Sequence, residues 1–262
     1  MTTHESFSDA YMRVLSDIYT TPTNVVKVGT EDSGLPSDQC VNICDFQERT
    51  NYQFTITDVA EDDTYPITSS KHRNAVMKAY IDKETPLFDS GDANETGNMS
   101  ALSKVWDRIK NPDGKINSNY GLMVYHMRDA GNEEYQDEHK TQWEWAKSRL
   151  VRYKNSNQAI MHFNRPIHQW DDNKDQPCTM FVQFFIRNDK LHFSSYMRSN
   201  DAVYGTPYNI SYFIKLMYRM CEELQETYPL LVVGNLTHNV TSIHIYKKHM
   251  SKVKAMLFGD EE

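Results

Sequence analysis

The sequence predicts one mixed α+β domain over residues 1–262. Three observations predict it. Apolar residues recur at helical spacing in two places: Phe7, Ala10, Tyr11, Val14, Leu15 and Ile18, and later Tyr212, Phe213, Leu216, Met217, Met220, Cys221 and Leu224. Between them, "TMFVQFFI" and "LHFSSYM" flank the polar turn "RNDK", the pattern of a β-hairpin over 179–197. No repeat, low-complexity tract or linker divides the 262 residues, a length that one sizeable core can serve.

In chain order, the first periodic run predicts an amphipathic helix over roughly 6–20. Residues 21–70 are polar and mixed, with strand-like pieces in "VNICDF" and "YQFTITDV". "AVMKAYI" has the makings of a short helix. "TPLFDSGDANETGNMS", residues 85–100, is rich in turn formers and is expected as a surface loop. "SALSKVWDRI" then predicts a helix, with Ser100 or Ser103 as N-cap. "NPDGKINSNYG" is turn-rich, "TQWEWAKSRLVRYK" helical and "QAIMHFN" a strand. After the hairpin come a long helix of about 209–226, strands at "LLVVGN" and "SIHIY", and a last helix in "KKHMSKVKAMLF".

Composition narrows the function. Hydrophobic residues at 39% and aromatics at 12% make a globular chain rather than a disordered one. A net charge of −8 argues against broad binding to a nucleic-acid backbone, yet leaves room for a small anion held by a few Arg. No apolar run approaches the ~20 residues of a membrane helix. "MTTHESFSDAY" lacks the basic and then apolar segments of a signal peptide. Four irregularly spaced cysteines make no disulfide framework, so reduced thiols in a cytoplasmic protein are expected.

Several residues have chemical potential. Cys178 follows Pro177 at the entry to the hairpin. If the hairpin closes at "RNDK", Arg198 returns beside Cys178, where a guanidinium would stabilise a thiolate and hold an anion. Otherwise Cys178 is a small buried hydrophobe. Cys40 and Cys44, spaced C-x3-C, have no second ligand pair and read as ordinary strand residues. His238, His244 and His249 lack supporting ligand spacing, so no metal is expected. His244 and Tyr246 alternate along a strand and share a face, where they suit a hydroxyl as hydrogen-bond partners. The acidic run "GNEEYQDEHK" reads as solvated surface.

"QPCT", "YMRSNDAVYGTPYNI" and "SIHIY" stand in the order and spacing of the thymidylate synthase superfamily, which the chain resembles from about Trp106 to His249. Within it, "GKINSNYG", "NRPIHQWDDNKD" and "MRSND" are most similar to the phage deoxycytidylate hydroxymethylases, enzymes of modified phage DNA. The resemblance implies a thymidylate synthase-like fold: a mixed β-sheet with flanking helices that pairs through the sheet into a homodimer. It also implies a cytoplasmic enzyme, in the host cytoplasm if phage-encoded. Its co-substrate would be 5,10-methylenetetrahydrofolate, with no metal, no nucleic acid and no membrane as partner.

The implied chemistry has a physical logic. A pyrimidine C5 is a poor nucleophile until a thiolate adds at C6, and by resemblance Cys178 is that thiolate. The activated C5 then takes up the folate methylene. Release of tetrahydrofolate leaves an exocyclic methylene, which hydride converts to methyl and water to hydroxymethyl. Two features favour water. The chain ends 13 residues after His249, where the synthases continue with a segment that closes over folate and excludes water. Thr179 follows the nucleophile, as in the hydroxymethylases, where synthases usually have His.

Asn209 is where the base is read. An amide accepts from uracil N3–H through oxygen and donates to O4 through nitrogen, while cytosine presents the reversed pattern. The deoxycytidylate enzymes carry Asp at this position. The reading is therefore dUMP, with 5-hydroxymethyl-dUMP as product. The alternatives are a thymidylate synthase, a dCMP hydroxymethylase or a noncatalytic nucleotide-binding homologue. By resemblance Arg198 and Ser199 hold phosphate, Asp201 orients folate and assists catalysis, and Gly205 allows close ring approach. His244 and Tyr246 hold the ribose hydroxyl, while Trp106 and Tyr120 line the folate and C5 side.

The chain departs from the family at two places. Asn157 and Gln158 stand where a partner subunit's consecutive Arg pair would reach the phosphate, with Arg149, Arg152 or Lys154 as possible substitutes. The family Glu on the helix before the folate site aligns best with Lys78, or with Glu84 if the helix is shifted.

Overall fold

The computed structural model describes residues 2–27, 45–90, 96–127 and 141–260. The first periodic run forms α1 (Phe7–Thr20). Ser6 caps it, accepting the Asp9 N–H at 3.1 Å, and Asp9 places negative charge in the first turn, where the helix dipole favours it. Phe7, Ala10, Tyr11, Val14, Leu15 and Ile18 are fully buried. At roughly 1.5–3 kcal/mol per large apolar side chain, this one face outweighs any local propensity term.

Seven strands form one sheet: β1 (Thr2–His4), β2 (Asn24–Val26), β3 (Phe46–Ile56), β4 (Ala159–His162), β5 (Thr179–Arg187), β6 (Lys190–Asp201) and β7 (Val232–Tyr246). Their order is β1-β3-β7-β6-β5-β4, with β2 paired to the start of β3. The β5–β6 hairpin closes as expected. Asn188 and Asp189 both have φ near +50°, the left-handed pair of a type I′ turn, which Asn and Asp tolerate. β6 and β7 run parallel. They are joined through α6 (Thr206–Gln225), whose apolar face packs on both. Buried strand residues such as Phe54, Phe193 and Leu236 lie on strands packed by α1 and α6, while Phe184 of β5 meets Trp143.

The remaining helices refine the sequence reading. Residues 71–90 form one 20-residue helix, α2, rather than a short helix followed by a loop. Arg73, Met77, Ile81, Glu84 and Phe88 are its buried stripe, at helical spacing but with two charged members. Pro86 lies within it, where it has no N–H to give the helix. The expected loop over 85–100 is therefore helical at both ends, since α3 spans Thr96–Leu102. α4 (Lys104–Ile109) follows as a separate helix, with Ser103 as its cap. A π-helical turn, Leu122–His126, was not anticipated, nor were β1 and β2.

α5 (Gln142–Arg152) opens with a reciprocal Thr141–Glu144 capping box. The two last predicted strands are one strand, β7, and α7 (Met250–Phe258) ends the described chain. Cys40, Cys44, the first part of "VNICDF" and the acidic run at 131–140 lie outside the described residues. Among the described residues no helix is long and apolar enough to cross a membrane.

Candidate active site

The hairpin carries Cys178 and Arg198 to the same end of the sheet, as its register requires. Thr179 pairs with Met197, and the Arg198 N–H donates to the Cys178 carbonyl at 3.0 Å. Met180 is the extra residue of a β-bulge, which bends β5 directly after the cysteine. The Arg198 guanidinium is exposed and fixed from behind, donating to the Gln176 carbonyl at 2.7 Å and to the Pro177 carbonyl at 3.4 Å.

The electrostatics correct one expectation. Burial pushes the Cys178 thiol above the ordinary cysteine range, and Asp175 and Asp201 push the same way. Arg198 opposes them without prevailing. The thiol is thus protonated at neutral pH rather than held as a thiolate.

Tyr120 is buried, and its hydroxyl lies 2.8 Å from Thr179 Oγ1 and 3.4 Å from the Thr179 N–H. Its ring stacks on Phe88 and meets Phe163 edge-on. Ser118 ties the same loop to the nucleophile's loop through Asp175. Burial raises the Asp175 carboxyl, while the Ser118 and Asn117 N–H groups and Arg198 draw it back.

Beyond Arg198, β6 presents Ser199, Asn200 and Asp201. Asp201 accepts the Val203 N–H at 2.8 Å and the Tyr204 N–H at 3.3 Å. It pairs across the parallel ladder with His244. Burial holds both toward neutrality, the Asp201 carboxyl raised and the His244 imidazole lowered. The His244 and Tyr246 rings meet edge-on at 4.8 Å, confirming their shared face.

Gly205 has an ordinary negative φ. A Cβ there would lie 2.8 Å from the Asp201 carbonyl and 2.9 Å from Asn200 Nδ2. The space it leaves is thus filled by this chain's own atoms. Asn209, in the first turn of α6, accepts from Asn200 Nδ2 at 2.9 Å.

The α2 side adjoins these residues. Lys78 is exposed and paired with Asp82, whereas Glu84 is buried, its carboxyl pushed up to about 7 by burial. The Tyr80 hydroxyl is its hydrogen-bond partner and eases that shift. Tyr80 also accepts from Trp106 Nε1 at 3.0 Å and stacks on Tyr208, the residue before Asn209, at 4.4 Å. The glutamate embedded among the site residues is therefore Glu84, not Lys78.

All ten candidate site residues fall at this end of the sheet. Asn157 and Gln158 do not: they are exposed in the α5–β4 turn. Lys154 pairs with Asp189 at the hairpin tip, opposite Cys178, and Arg149 lies over the rings of Trp145 and Tyr153. Asp175, Asn200 and Thr206 were missed, because polar residues beside a motif carry no sequence signal until their partners are known. His238 is a core residue on Ser195, at 2.7 Å. Among the described residues no three His, Cys, Asp or Glu side chains are grouped to hold a metal ion.

Comparison with known proteins identifies the family. The thymidylate synthase family model matches residues 24–261, so the chain belongs to the thymidylate synthase family. It is 27% identical over 181 residues to the deoxycytidylate 5-hydroxymethyltransferase of Enterobacteria phage T6, covering 67% of this chain and 70% of that one. It is also 27% identical over 168 residues to the thymidylate synthase of Bacillus atrophaeus, covering 64% and 69%. The fold matches thermostable thymidylate synthase A from Bacillus subtilis with a TM-score of 0.67 at 19% identity, over 98% of this chain and 86% of that one. The chain is accordingly a folate-dependent one-carbon transferase acting on a pyrimidine nucleotide.

Proposed function

We propose that this enzyme is a deoxyuridylate 5-hydroxymethyltransferase, converting dUMP, methylenetetrahydrofolate and water to 5-hydroxymethyl-dUMP and tetrahydrofolate. The observation that carries the base assignment is Asn209, an amide rather than a carboxylate, half-buried beside Asn200 in the first turn of α6. In this reading Cys178 adds to C6, losing its proton as the bond forms, since the resting thiol is neutral. Arg198 and Ser199 hold the phosphate, and His244 and Tyr246 the ribose hydroxyl. Arg198 keeps its guanidinium for the ligand because, among the described residues, only backbone carbonyls engage it.

The aromatic wall of Trp106, Tyr80 and Tyr208 fits a flat, conjugated co-substrate, and Asp201 would meet its ring nitrogens. Folate, when bound, supplies the one-carbon unit. Glu84, titrating near neutrality, is suited to hold and release a proton close to C5. Tyr120 and Thr179 offer paired hydroxyls on the nucleophile's side, where the small Thr leaves room for water. Phosphate contacts absent from one chain would come from a second copy, seated on the outer sheet face.

The test is incubation with methylenetetrahydrofolate and either dUMP or dCMP, with mass spectrometry of the product. Hydroxymethyl-dUMP with tetrahydrofolate is expected. Formation of dTMP with dihydrofolate would overturn the hydroxymethyl assignment, and turnover of dCMP alone would overturn the base assignment.

A further inference from the structure

Asn209 does not stand alone. Asn200 Nδ2 donates to Asn209 Oδ1 at 2.9 Å, and the Thr206 hydroxyl donates to Asn200 Oδ1. Asn200 is 2% exposed and Thr206 fully buried, so water cannot substitute for either bond. Asn209 Nδ2 makes no hydrogen bond with any described residue and is not among the buried polar atoms lacking a partner. It is the unpaired, partly exposed end of the chain of amides among the described residues.

An asparagine amide has nearly the same shape after a half-turn about its last bond, but its donor and acceptor exchange places. Uracil and cytosine differ by the same exchange, a donor N3–H beside an acceptor O4 against an acceptor N3 beside a donor amino group. One orientation of Asn209 therefore suits one base, and the other orientation the other base. A free amide would serve both.

We infer that Thr206 and Asn200 are specificity-positioning residues that lock the Asn209 amide in one orientation. Thr206 gives its proton to Asn200 Oδ1, which leaves Asn200 only N–H groups to offer Asn209. A reversed Asn209 would set its own N–H₂ against them, on the side where Asn200 and Thr206 are buried. Gly205 makes the arrangement possible, since any Cβ there would fall 2.9 Å from Asn200 Nδ2. This inference rests on Asn209 as the base reader and adds that the discriminating information lies behind it.

The experiment measures kcat/KM and calorimetric affinity for dUMP and dCMP in the wild type and in Thr206→Val, Thr206→Ser and Asn200→Asp. Valine keeps the shape and removes the donated proton, so the ratio between the two nucleotides should fall at least about tenfold. Serine keeps the hydroxyl and should keep the ratio within about threefold. Aspartate accepts where Asn200 donates, turns the Asn209 amide round and should move the preference toward the other base. That variant serves equally if Thr206→Val does not fold. A wild type that does not discriminate, or folded Val and Asp variants that keep its ratio, would overturn the inference. Binding of neither nucleotide by the wild type would remove the proposed function as well. Turnover with an unchanged ratio removes the inference alone.

Discussion

Ser118 gives both its backbone N–H and its hydroxyl to the carboxylate of Asp175, at 2.7 and 2.5 Å, three residues before Cys178. One carboxylate thus fastens the Tyr120 loop to the nucleophile's loop. The same carboxylate is a negative charge next to the thiol, and it raises the thiol's pKa. Positioning and activation pull in opposite directions at this residue. An anion beside a nascent thiolate is unfavourable unless it holds something that the reaction needs.

The first prediction follows from that conflict. Alkylation of Cys178 by iodoacetamide should accelerate with pH, with a midpoint above the ordinary thiol range. Asp175→Asn should lower the midpoint and Arg198→Gln should raise it, because the first removes an opposing charge and the second a supporting one. Yet Asp175→Asn should also reduce turnover, by loosening Tyr120. A thiol that titrates earlier in an enzyme that works less well separates the two roles. Shifts of the same sign in both variants would refute the electrostatic account.

Glu84 gives the second prediction. Its protonated form is favoured in the folded chain, so its contribution to stability is complete below about pH 4.5 and is lost as pH rises through about 7. Gln stays neutral throughout. Glu84→Gln should therefore match the wild type near pH 4 and become more resistant to urea as pH approaches 8, by at most about 3 kcal/mol. Its turnover should fall by roughly 10²–10⁴, the usual worth of a general acid or base. A stability difference independent of pH would show that Glu84 is ionised when folded.

Glu84 also shows what the sequence does and does not make legible. The α1 stripe, the hairpin with its turn and the α6 stripe follow from periodicity, because apolar residues alone line their buried faces. Only the middle of α2, "AVMKAYI", was legible as helix, since Arg73 and Glu84 interrupt its stripe with charges and Pro86 suggests a break. With its full length unrecognised, the choice between Lys78 and Glu84 had no complete helical frame to rest on. Burial favours Glu84, with Lys78 outside on Asp82 and Glu84 within, against Tyr80. Cys178 and Arg198 were readable together because hairpin register brings the two arms side by side, whereas Ser199, Asp201, Gly205 and Asn209 were singled out only through the resemblance. Thr206, Asn200 and Asp175 were not, since each matters through a partner's atom rather than through its own type.

Gly205 gives the third prediction. Ala there would drive a Cβ to 2.8 Å from the Asp201 carbonyl and 2.9 Å from Asn200 Nδ2, one of them backbone that cannot yield cheaply. Gly205→Ala should destabilise by about 1–3 kcal/mol, the usual range for overpacking. It should also weaken nucleotide discrimination by displacing Asn200. Thermal unfolding and the dUMP/dCMP ratio are the two measurements. Unaltered values of both would mean that the α6 entrance is free to shift.

The last prediction concerns the sheet's outer face. Helices α1 and α6 cover one side. On the other, Phe181 and Tyr196 stack at 4.5 Å, and with Met180, Asn51, Gln53, Asn239 and Thr241 they line a depression of about 440 Å³. Met180 is 37% exposed and Tyr196 37%, a large apolar presence for a central strand pair to show water. The amides and Thr241 around them carry no charge, so a second copy could approach without stranding an ion. We propose that two chains pair through this face, which is the sheet-mediated homodimer implied by the resemblance. Light scattering should give twice the 30.6 kDa of one chain. Tyr196→Glu should yield monomers with native circular dichroism, because a carboxylate buried at a symmetric contact meets its own copy. If a partner chain supplies the phosphate contacts, those monomers should also lose affinity for the nucleotide while keeping the Cys178 alkylation profile. A monomeric wild type with full nucleotide affinity would sink both proposals together.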